Sequence, residues 1–172
     1  FQISTDEVYG SILTGSFCEE DKLNPRNPYS ASKAAAEHLI NAYNKTHNIE
    51  YNIIRMSNNF GPRQNSEKFL PTIINHIRNN KKIPVYGTGL NVRDWLYVKD
   101  AASIIISLIK KDIKNEIFNI TLSNEMTNIE LIKAVGMILN IQVDDKISFI
   151  ADRKGHDFRY SITNSKVKNL LK

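Results

Sequence analysis

The fold is decided by residues 29–56, which read YSASKAAAEHLINAYNKTHNIEYNIIRM. From Tyr29 to about Asn44, apolar side chains recur at helical spacing, at Ala35, Leu39, Ala42 and Tyr43. Pro28, just before this stretch, suits the first turn of a helix. The last six residues, 51–56, form a short isoleucine-rich run of the kind found in buried strands. The pattern therefore predicts a helix followed closely by a strand.

The same alternation continues on both sides of this stretch. The first residues, FQIST at 1–5, have the pattern of a strand that ends at Thr5. Further along, the patterns predict a helix at 69–77, a tight turn at Gly87 and Gly89, an extended edge segment at 92–98, a largely buried helix at 100–110, a strand at 117–121 and a helix from Thr127 to Leu139. Strands that alternate with helices indicate an α/β fold with a mainly parallel sheet.

Three parallel strands are too few for a covered sheet of this kind. The first residue is Phe1, so we expect a strand-rich segment to precede these 172 residues in a longer protein.

Composition narrows the class of protein. The chain is 41% hydrophobic, which is ordinary for a globular protein of this length, and Cys18, its one cysteine, suits a reducing cytoplasm. No apolar run approaches the ~20 residues that span a bilayer, so we expect no membrane partner. The net charge of +5 is spread along the chain without a block of like charges, so we expect no nucleic-acid partner either.

Two adjacent carboxylates, Asp6 and Glu7, follow the first predicted strand. Ser4 and Glu7 have the spacing of a helix capping box, which is a structural interpretation of the pair. The alternative is an acid and a base at the carboxyl end of a strand, where α/β sheets hold their ligands. Neighbours in a strand point to opposite faces, so this second interpretation requires the strand to end at Thr5. An acid beside a base suits an elimination.

Tyr29 and Lys33 lie four residues apart on the predicted helix and so share one face. An ammonium beside a phenol favours the phenolate, which makes the tyrosine a usable base near neutral pH. A single Tyr-x-x-x-Lys match occurs by chance in a chain with many tyrosines and lysines. The small residues between the pair, in YSASK, strengthen it because they allow a ligand to approach the helix.

Other polar residues also follow predicted strands or turns. Asn58 and Asn59 precede Gly61 and Pro62, where amides can meet a ligand or simply form a turn. Arg93 stands beside Asp94, and Arg153, Lys154 and His156 surround Gly155, so these cations could grip a diphosphate or form surface salt bridges. No cysteine or histidine cluster has metal spacing, so we expect no metal site.

Taken in order, these motifs resemble one family. STDEVYG, NPYSASK, SNNFGPRQNSEKFLP, PVYGTG, RDWLYVKDAA and ADRKGHDFRY are similar to the nucleoside-diphosphate-glucose 4,6-dehydratases of the extended short-chain dehydrogenase/reductase group. The resemblance covers nearly the whole chain but lacks the family's amino-terminal half with its glycine-rich dinucleotide turn. It implies part of a Rossmann-like, mainly parallel sheet with a smaller α/β substrate-binding region. Residues 1–60 would then be the later part of the NAD-binding domain, and residues 61–172 mainly a nucleotide-sugar-binding region with one returning Rossmann strand and helix.

The resemblance also implies catalytic roles. Tyr29 would take the proton of the sugar 4-hydroxyl, Lys33 would hold the nicotinamide ribose and lower the phenol pKa, and Thr5 would hydrogen-bond the 4-oxygen. Glu7 would remove the C5 proton, and Asp6 would protonate the departing 6-hydroxyl. Related epimerases, decarboxylases and GDP-mannose dehydratases lack an acid at the position of Asp6, so this pair points to 4,6-dehydration.

Binding roles follow in the same way. Tyr29, Lys33 and Asn59 match positions that touch NAD, and ten further residues match positions that hold the nucleotide sugar: Asn58, Lys68, Phe69, Pro84, Tyr86, Arg93, Asn128, Asp152, Arg153 and His156. Lys154 departs from the family pattern, because proline is common there.

The resulting hypothesis is an NAD-dependent enzyme, cytoplasmic and homodimeric, that dehydrates dTDP-glucose to the 4-keto-6-deoxy sugar, commonly for rhamnose-type deoxysugar synthesis. UDP-glucose is the alternative substrate. We expect the 172 residues alone to be inactive, and a module that only binds nucleotide sugars is the competing class.

Overall fold

The computed structural model describes residues 1–172, and its strands and helices alternate along the chain. The strands are β1 Gln2–Thr5, β2 Asn52–Met56, β3 Asn58–Phe60, β4 Ile83–Tyr86, β5 Val92–Tyr97, β6 Glu116–Ile120, β7 Glu125–Thr127 and β8 Ile147–Ile150. The helices are α1 Pro28–His47, α2 Phe69–Arg78, α3 Val98–Lys110, α4 Asn128–Ile138 and α5 Ser165–Leu171. Short 3₁₀ turns lie at Asp6–Tyr9 and Asp144–Lys146. The predicted α/β class is confirmed.

The first sheet has the order β1-β2-β6 and is entirely parallel. Thr5 pairs with Met56, and Met56 pairs with Ile120, so the three strands end together at one edge. The helix α1 connects β1 to β2, as the sequence predicts. Residues that follow β1 and β2 are thereby brought to the same edge.

Two further sheets complete the fold. One has the order β3-β5-β7, with β3 parallel and β7 antiparallel to β5, and the other is the parallel pair β4-β8. The expectation of an edge segment at 92–98 is wrong, because β5 is the central strand of its sheet. Its partners β3 and β7 are only three residues long, which is too short to show a periodicity.

The buried faces of two helices differ from the sequence prediction. Helix α1 buries Ser30, Ala34 and Glu37, whereas Leu39 and Tyr43 on its predicted apolar face are 60% and 54% exposed. Helix α3, expected to be largely buried, buries only Ala101 and Leu108. Periodicity locates a helix but does not say which face is covered, since folded proteins leave much apolar surface exposed.

A buried ion pair holds α1 against the first sheet. The Glu37 carboxylate receives the Arg55 guanidinium of β2 at 2.6 Å, and both side chains are almost fully buried. Ser4 of β1 also donates to Glu37, and Arg55 donates to the Tyr9 hydroxyl at 2.5 Å. This network fixes the position and rotation, relative to the first sheet, of the helix that carries Tyr29 and Lys33.

None of the helices is long and apolar enough to cross a membrane.

Candidate active site

A cavity of about 1070 Å³ opens at the edge where β1 and β2 end. Its walls come from the turn after β1, the start of α1, the residues after β2, the start of α2, strands β4 and β5, and the segment 153–160. The predicted site residues that line it are Thr5, Asp6, Glu7, Tyr29, Lys33, Asn58, Asn59, Lys68, Phe69, Pro84, Tyr86, Arg93, Asn128, Arg153 and His156. Asp152 does not line the cavity but lies behind His156. The structure therefore brings together residues that are up to 151 positions apart in the sequence.

The carboxylate pair follows the end of β1 directly. β1 ends at Thr5, and a 3₁₀ turn begins at Asp6, so both carboxylates can face one cavity. The Thr5 hydroxyl caps this turn by accepting the Glu7 N–H at 3.3 Å. The capping-box interpretation of Ser4 and Glu7 is therefore wrong: Ser4 is still in the strand, and its hydroxyl donates to Glu37 instead.

Asp6 is a buried carboxyl group whose pKa is raised into the neutral range. Its side chain is 3% exposed, and burial, followed by the nearby Glu7, raises its pKa to about 7. Oδ1 accepts from the Thr5 hydroxyl at 3.2 Å, whereas Oδ2 has no hydrogen-bond partner in the protein. Asp6 can therefore supply a proton to a group that enters the cavity.

Glu7 is held through one of its carboxylate oxygens. Its Oε2 accepts from the Asn27 amide at 3.2 Å and lies 3.4 Å from the hydroxyl oxygen of Tyr160, whose one proton is donated to Oδ2 of Asp157 at 2.8 Å. Burial, Glu7 and Asp157 together raise the pKa of Tyr160, so this phenol stays protonated. No hydrogen bond engages Oε1 of Glu7, which is the oxygen left to act as a base.

Sequence analysis missed Asn27 and Tyr160. Asn27 precedes Pro28 at the start of a helix, which is a recognisable N-cap signal. Tyr160 gave no local signal, because its contact with Glu7 joins residues 153 positions apart.

Tyr29 and Lys33 lie on the first turns of α1 and face the same cavity. The Lys33 ammonium donates to the carbonyl of Ile3 at 3.1 Å. Burial, followed by Glu7 and with Asp6 adding to it, raises the pKa of Tyr29, although the Thr5 hydroxyl acts in the opposite direction. The expected lowering of this pKa by Lys33 is not found in the protein alone, because the ammonium is directed to a backbone carbonyl.

The other end of the cavity is basic. Arg93 and Lys68 come from the body of the fold, and Arg153, Lys154 and His156 come from the loop after β8. His156 contacts Asp152 at 2.7 Å, yet burial, as the largest effect, lowers the pKa of the imidazole. The fixed positive charge at neutral pH thus comes from the arginines and lysines, and it suits a phosphate-bearing ligand.

Arg93 also organises this end. Its guanidinium donates to the carbonyls of Asp157 and Phe158 at 2.9 and 3.2 Å, and it lies 4.3 Å from the ring centroid of Tyr160. These contacts fix the segment that places Tyr160 beside Glu7.

Several buried polar atoms of the cavity wall have no protein partner. Besides Oδ2 of Asp6, they are the Ser57 hydroxyl and the Trp95 indole nitrogen. Buried polar atoms are normally paired, so this wall is suited to a polar ligand. No group of three or more His, Cys, Asp or Glu side chains is arranged to hold a metal ion.

The arrangement supplies the groups that proton transfer and elimination require. A protonated acid, a carboxylate base and a phenol share one cavity, and a cationic end can hold an anionic part of the substrate.

Comparisons with known proteins find a matching family and several similar chains. The NAD dependent epimerase/dehydratase family matches residues 1–121. Low-salt glycan biosynthesis protein Agl12 of Haloferax volcanii is 45% identical over 98% of this chain and 54% of its own length.

Two solved structures are also similar. The dTDP-glucose 4,6-dehydratase of Bacillus anthracis, in complex with NAD, is 44% identical, with a TM-score of 0.92 over 98% of this chain and 53% of that chain. DesIV of Streptomyces venezuelae, a dTDP-glucose 4,6-dehydratase with NAD bound, is 38% identical, with a TM-score of 0.95 over 99% of this chain and 52% of that chain. The chain spans about half the length of the curated relatives it matches.

Proposed function

Because the chain belongs to the NAD dependent epimerase/dehydratase family, we propose that the full-length protein dehydrates dTDP-glucose to the 4-keto-6-deoxy sugar. The observation that carries this proposal is the pair that follows β1: a buried, protonatable Asp6 beside Glu7, in the same cavity as Tyr29. An oxidation or epimerisation at C4 needs no such acid, whereas loss of a hydroxyl does.

The residues at the end of β1 and β2 fit a nicotinamide cofactor. Lys33 and Tyr29 face the cavity from α1, and Asn59 faces it from β3, so these three side chains would hold the nicotinamide ribose and its surroundings. When bound, NAD would supply the hydride acceptor for oxidation at C4 and the hydride donor for reduction at C6.

In the first stage, Tyr29 removes the proton of the 4-hydroxyl as C4 becomes a ketone. Thr5 hydrogen-bonds the same oxygen, and Lys33 supplies positive charge near the phenolate. Because burial and, after it, Glu7 raise the pKa of Tyr29 in the protein alone, cationic groups in the assembled site must favour the phenolate.

In the second stage, the 4-ketone acidifies the C5 proton, and Glu7 removes it. The electron pair of the C5–H bond forms the C5–C6 double bond, and the C6–O bond breaks. Asp6 gives its proton to the departing hydroxyl, which leaves as water. Asp6 ends as the carboxylate and Glu7 as the acid, so charge and protons balance in this stage. Glu7 would return its proton to C5 when C6 is reduced, which completes the product.

The basic end of the cavity would hold the nucleoside diphosphate. Lys68, Arg93 and Arg153, with His156 positioned by Asp152, would contact the phosphates, and Lys154 adds a cation to this group. Five further residues would line the base and the sugar: Asn58, Phe69, Pro84, Tyr86 and Asn128.

The wider assignment is also part of the proposal. Residues 1–60 form the later part of the NAD-binding domain, and residues 61–172 mainly the nucleotide-sugar region. We further propose a cytoplasmic homodimer of the full-length protein, acting as a lyase in rhamnose-type deoxysugar synthesis. The 172 residues alone are inactive, since about half of each relative lies outside the matched region.

A direct assay tests the function. The full-length protein is incubated with dTDP-glucose or UDP-glucose without added reductant, and the 4-keto-6-deoxy product is detected by its absorbance in alkali. We expect product from dTDP-glucose, and a loss of about 10²–10⁴-fold in kcat for Asp6→Asn, as for other general acids. Wild-type turnover in Asp6→Asn would refute the acid role, and preference for UDP-glucose would change the assigned substrate.

A binding module is the second candidate, because the cavity contains most of the polar and cationic groups that would hold a nucleotide sugar. Nucleotide-sugar binding without turnover by the full-length protein, measured by calorimetry with NAD present, would favour it.

A further inference from the structure

Asn27 connects the two parts of the candidate active site. It is the N-cap of α1: its Oδ1 accepts the Ser30 N–H at 2.9 Å, and the Ser30 hydroxyl accepts the Asn27 N–H at 3.3 Å. The other end of the same amide, Nδ2, donates to Oε2 of Glu7 at 3.2 Å. One side chain therefore ties the helix that carries Tyr29 to the turn that carries Glu7.

We propose that Asn27 is a positioning residue that orients the Glu7 carboxylate for removal of the C5 proton. This inference rests on the function proposed above. The Tyr160 hydroxyl also lies near Oε2, but it donates its proton to Asp157, so the Asn27 amide is the donor that holds Oε2 and leaves Oε1 for the substrate. A carboxylate free to rotate would present the correct oxygen only part of the time.

The chemistry of an amide suits this task. A lysine or arginine in the same place would neutralise Glu7 and weaken it as a base, whereas an amide N–H holds the oxygen without adding a charge. The charged and titratable groups already near Glu7 are Asp6 on its own turn, Tyr29 on α1, Arg93 on β5 and Tyr160. The neutral amide of Asn27 connects α1 to Glu7 without changing the net charge around the base.

The two roles of Asn27 can be separated by substitution. Serine and aspartate both remain good N-caps, but neither has the NH₂ group that donates to Glu7. Conversely, Ser30→Ala removes the reciprocal capping contact and leaves the amide on Glu7 intact. Ser30 does not line the cavity.

The test uses the full-length protein with NAD and dTDP-glucose carrying hydrogen or deuterium at C5. We expect Asn27→Ser to lower kcat about tenfold with KM unchanged, and to increase the isotope effect on kcat because proton removal becomes slower. Ser30→Ala should keep the wild-type kcat and isotope effect. Wild-type kinetics in Asn27→Ser, or an equal loss in Ser30→Ala, would overturn the proposal.

A pH profile gives a second readout. Asn27→Asp keeps the cap but places a carboxylate beside Glu7, and like charges disfavour ionisation. The acidic limb of its kcat–pH profile should therefore move to higher pH, while Ser30→Ala leaves the limb in place. An unmoved limb in Asn27→Asp contradicts the proposal.

A third measurement is independent of turnover. In the NMR spectrum, the side-chain amide resonance of Asn27 should shift when Glu7 is replaced by Gln, because its acceptor loses a charge. If wild-type protein makes no product, the proposed function fails, and this shift still decides the contact. If Glu7→Gln leaves the chemical shift of the Asn27 side-chain amide unchanged, the role of Asn27 is refuted, whatever the activity of the protein.

Discussion

Asp6 occupies an environment that disfavours its charged form. The side chain is buried, it lies beside Glu7, and one of its oxygens has no partner in the protein. A carboxylate in this position costs folding free energy. The same feature makes Asp6 a proton donor near neutral pH, so the site trades stability for a usable acid.

This trade predicts how stability depends on pH. The folded-state pKa of Asp6 is raised to about 7 from an ordinary value of 3.8. Between these two pH values the folded protein binds more protons than the unfolded chain does, so the protein loses stability as the pH rises through this range. Asp6→Asn removes the penalty. We expect it to increase the free energy of unfolding at pH 8 by up to ~4 kcal/mol and to have little effect near pH 4.

Urea unfolding of wild type and Asp6→Asn at the two pH values checks this expectation. Asp21→Asn, at an exposed position, is the control and should change stability equally at both. A gain for Asp6→Asn that is the same at pH 4 and pH 8 would show that Asp6 is not a buried acid.

At the scale of elements, α1 is held by charge as much as by apolar contact. Its buried face carries two small residues, Ser30 and Ala34, followed by Glu37, and the Arg55 guanidinium contacts Glu37 across the helix–sheet interface. Breaking a buried ion pair on one side leaves an uncompensated charge, which commonly costs ~3–5 kcal/mol.

Glu37→Gln should therefore destabilise the protein by about 3 kcal/mol in urea unfolding, because it leaves Arg55 buried without its counter-charge. The matched control is Glu50→Gln, which removes an exposed pair with Lys114 at 3.0 Å and should cost well under 1 kcal/mol. Equal effects of the two substitutions would mean that the buried pair does not hold α1.

The elements that the sequence predicts are those with a complete local signal. Helix α1 begins at Pro28, directly after the capping residue Asn27, and α4 opens on the predicted capping box, in which Thr127 and Glu130 contact each other in both directions. Strands β3 and β7 were not predicted because three residues cannot show a period. The buried face of α1 was wrongly predicted because an ion pair, rather than apolar residues, covers it.

At the scale of the whole molecule, the site exists only because distant segments converge. The end of β1 supplies the acid and the base, β5 supplies Arg93, and the segment after β8 supplies Tyr160. Motifs along the sequence named most of the lining residues. They could not show that Tyr160 touches Glu7 or that Arg93 holds the backbone of 157–158, since these contacts join separate sheets and loops.

Arg93 and Arg159 both connect the segment 157–161 to the rest of the fold, and they offer a test of this convergence. Arg93 lines the cavity and binds the backbone of this segment. Arg159 is part of the segment, and its side chain pairs with Glu125 at 2.7 Å, outside the cavity. Arg93→Lys cannot reproduce the forked donation to two carbonyls. We expect it to raise KM for the nucleotide sugar at least tenfold and to lower stability by about 1–3 kcal/mol.

Arg159→Lys is the control for that substitution. It also loses a forked contact, to a carboxylate, and should lower stability by about 1 kcal/mol because the pair is partly exposed. Its KM should stay at the wild-type value, since Arg159 does not face the ligand. If both substitutions raised KM equally, loosening of the segment alone would explain the loss. If only Arg93→Lys does so, the guanidinium acts on the nucleotide sugar itself as well as on the segment that carries Tyr160.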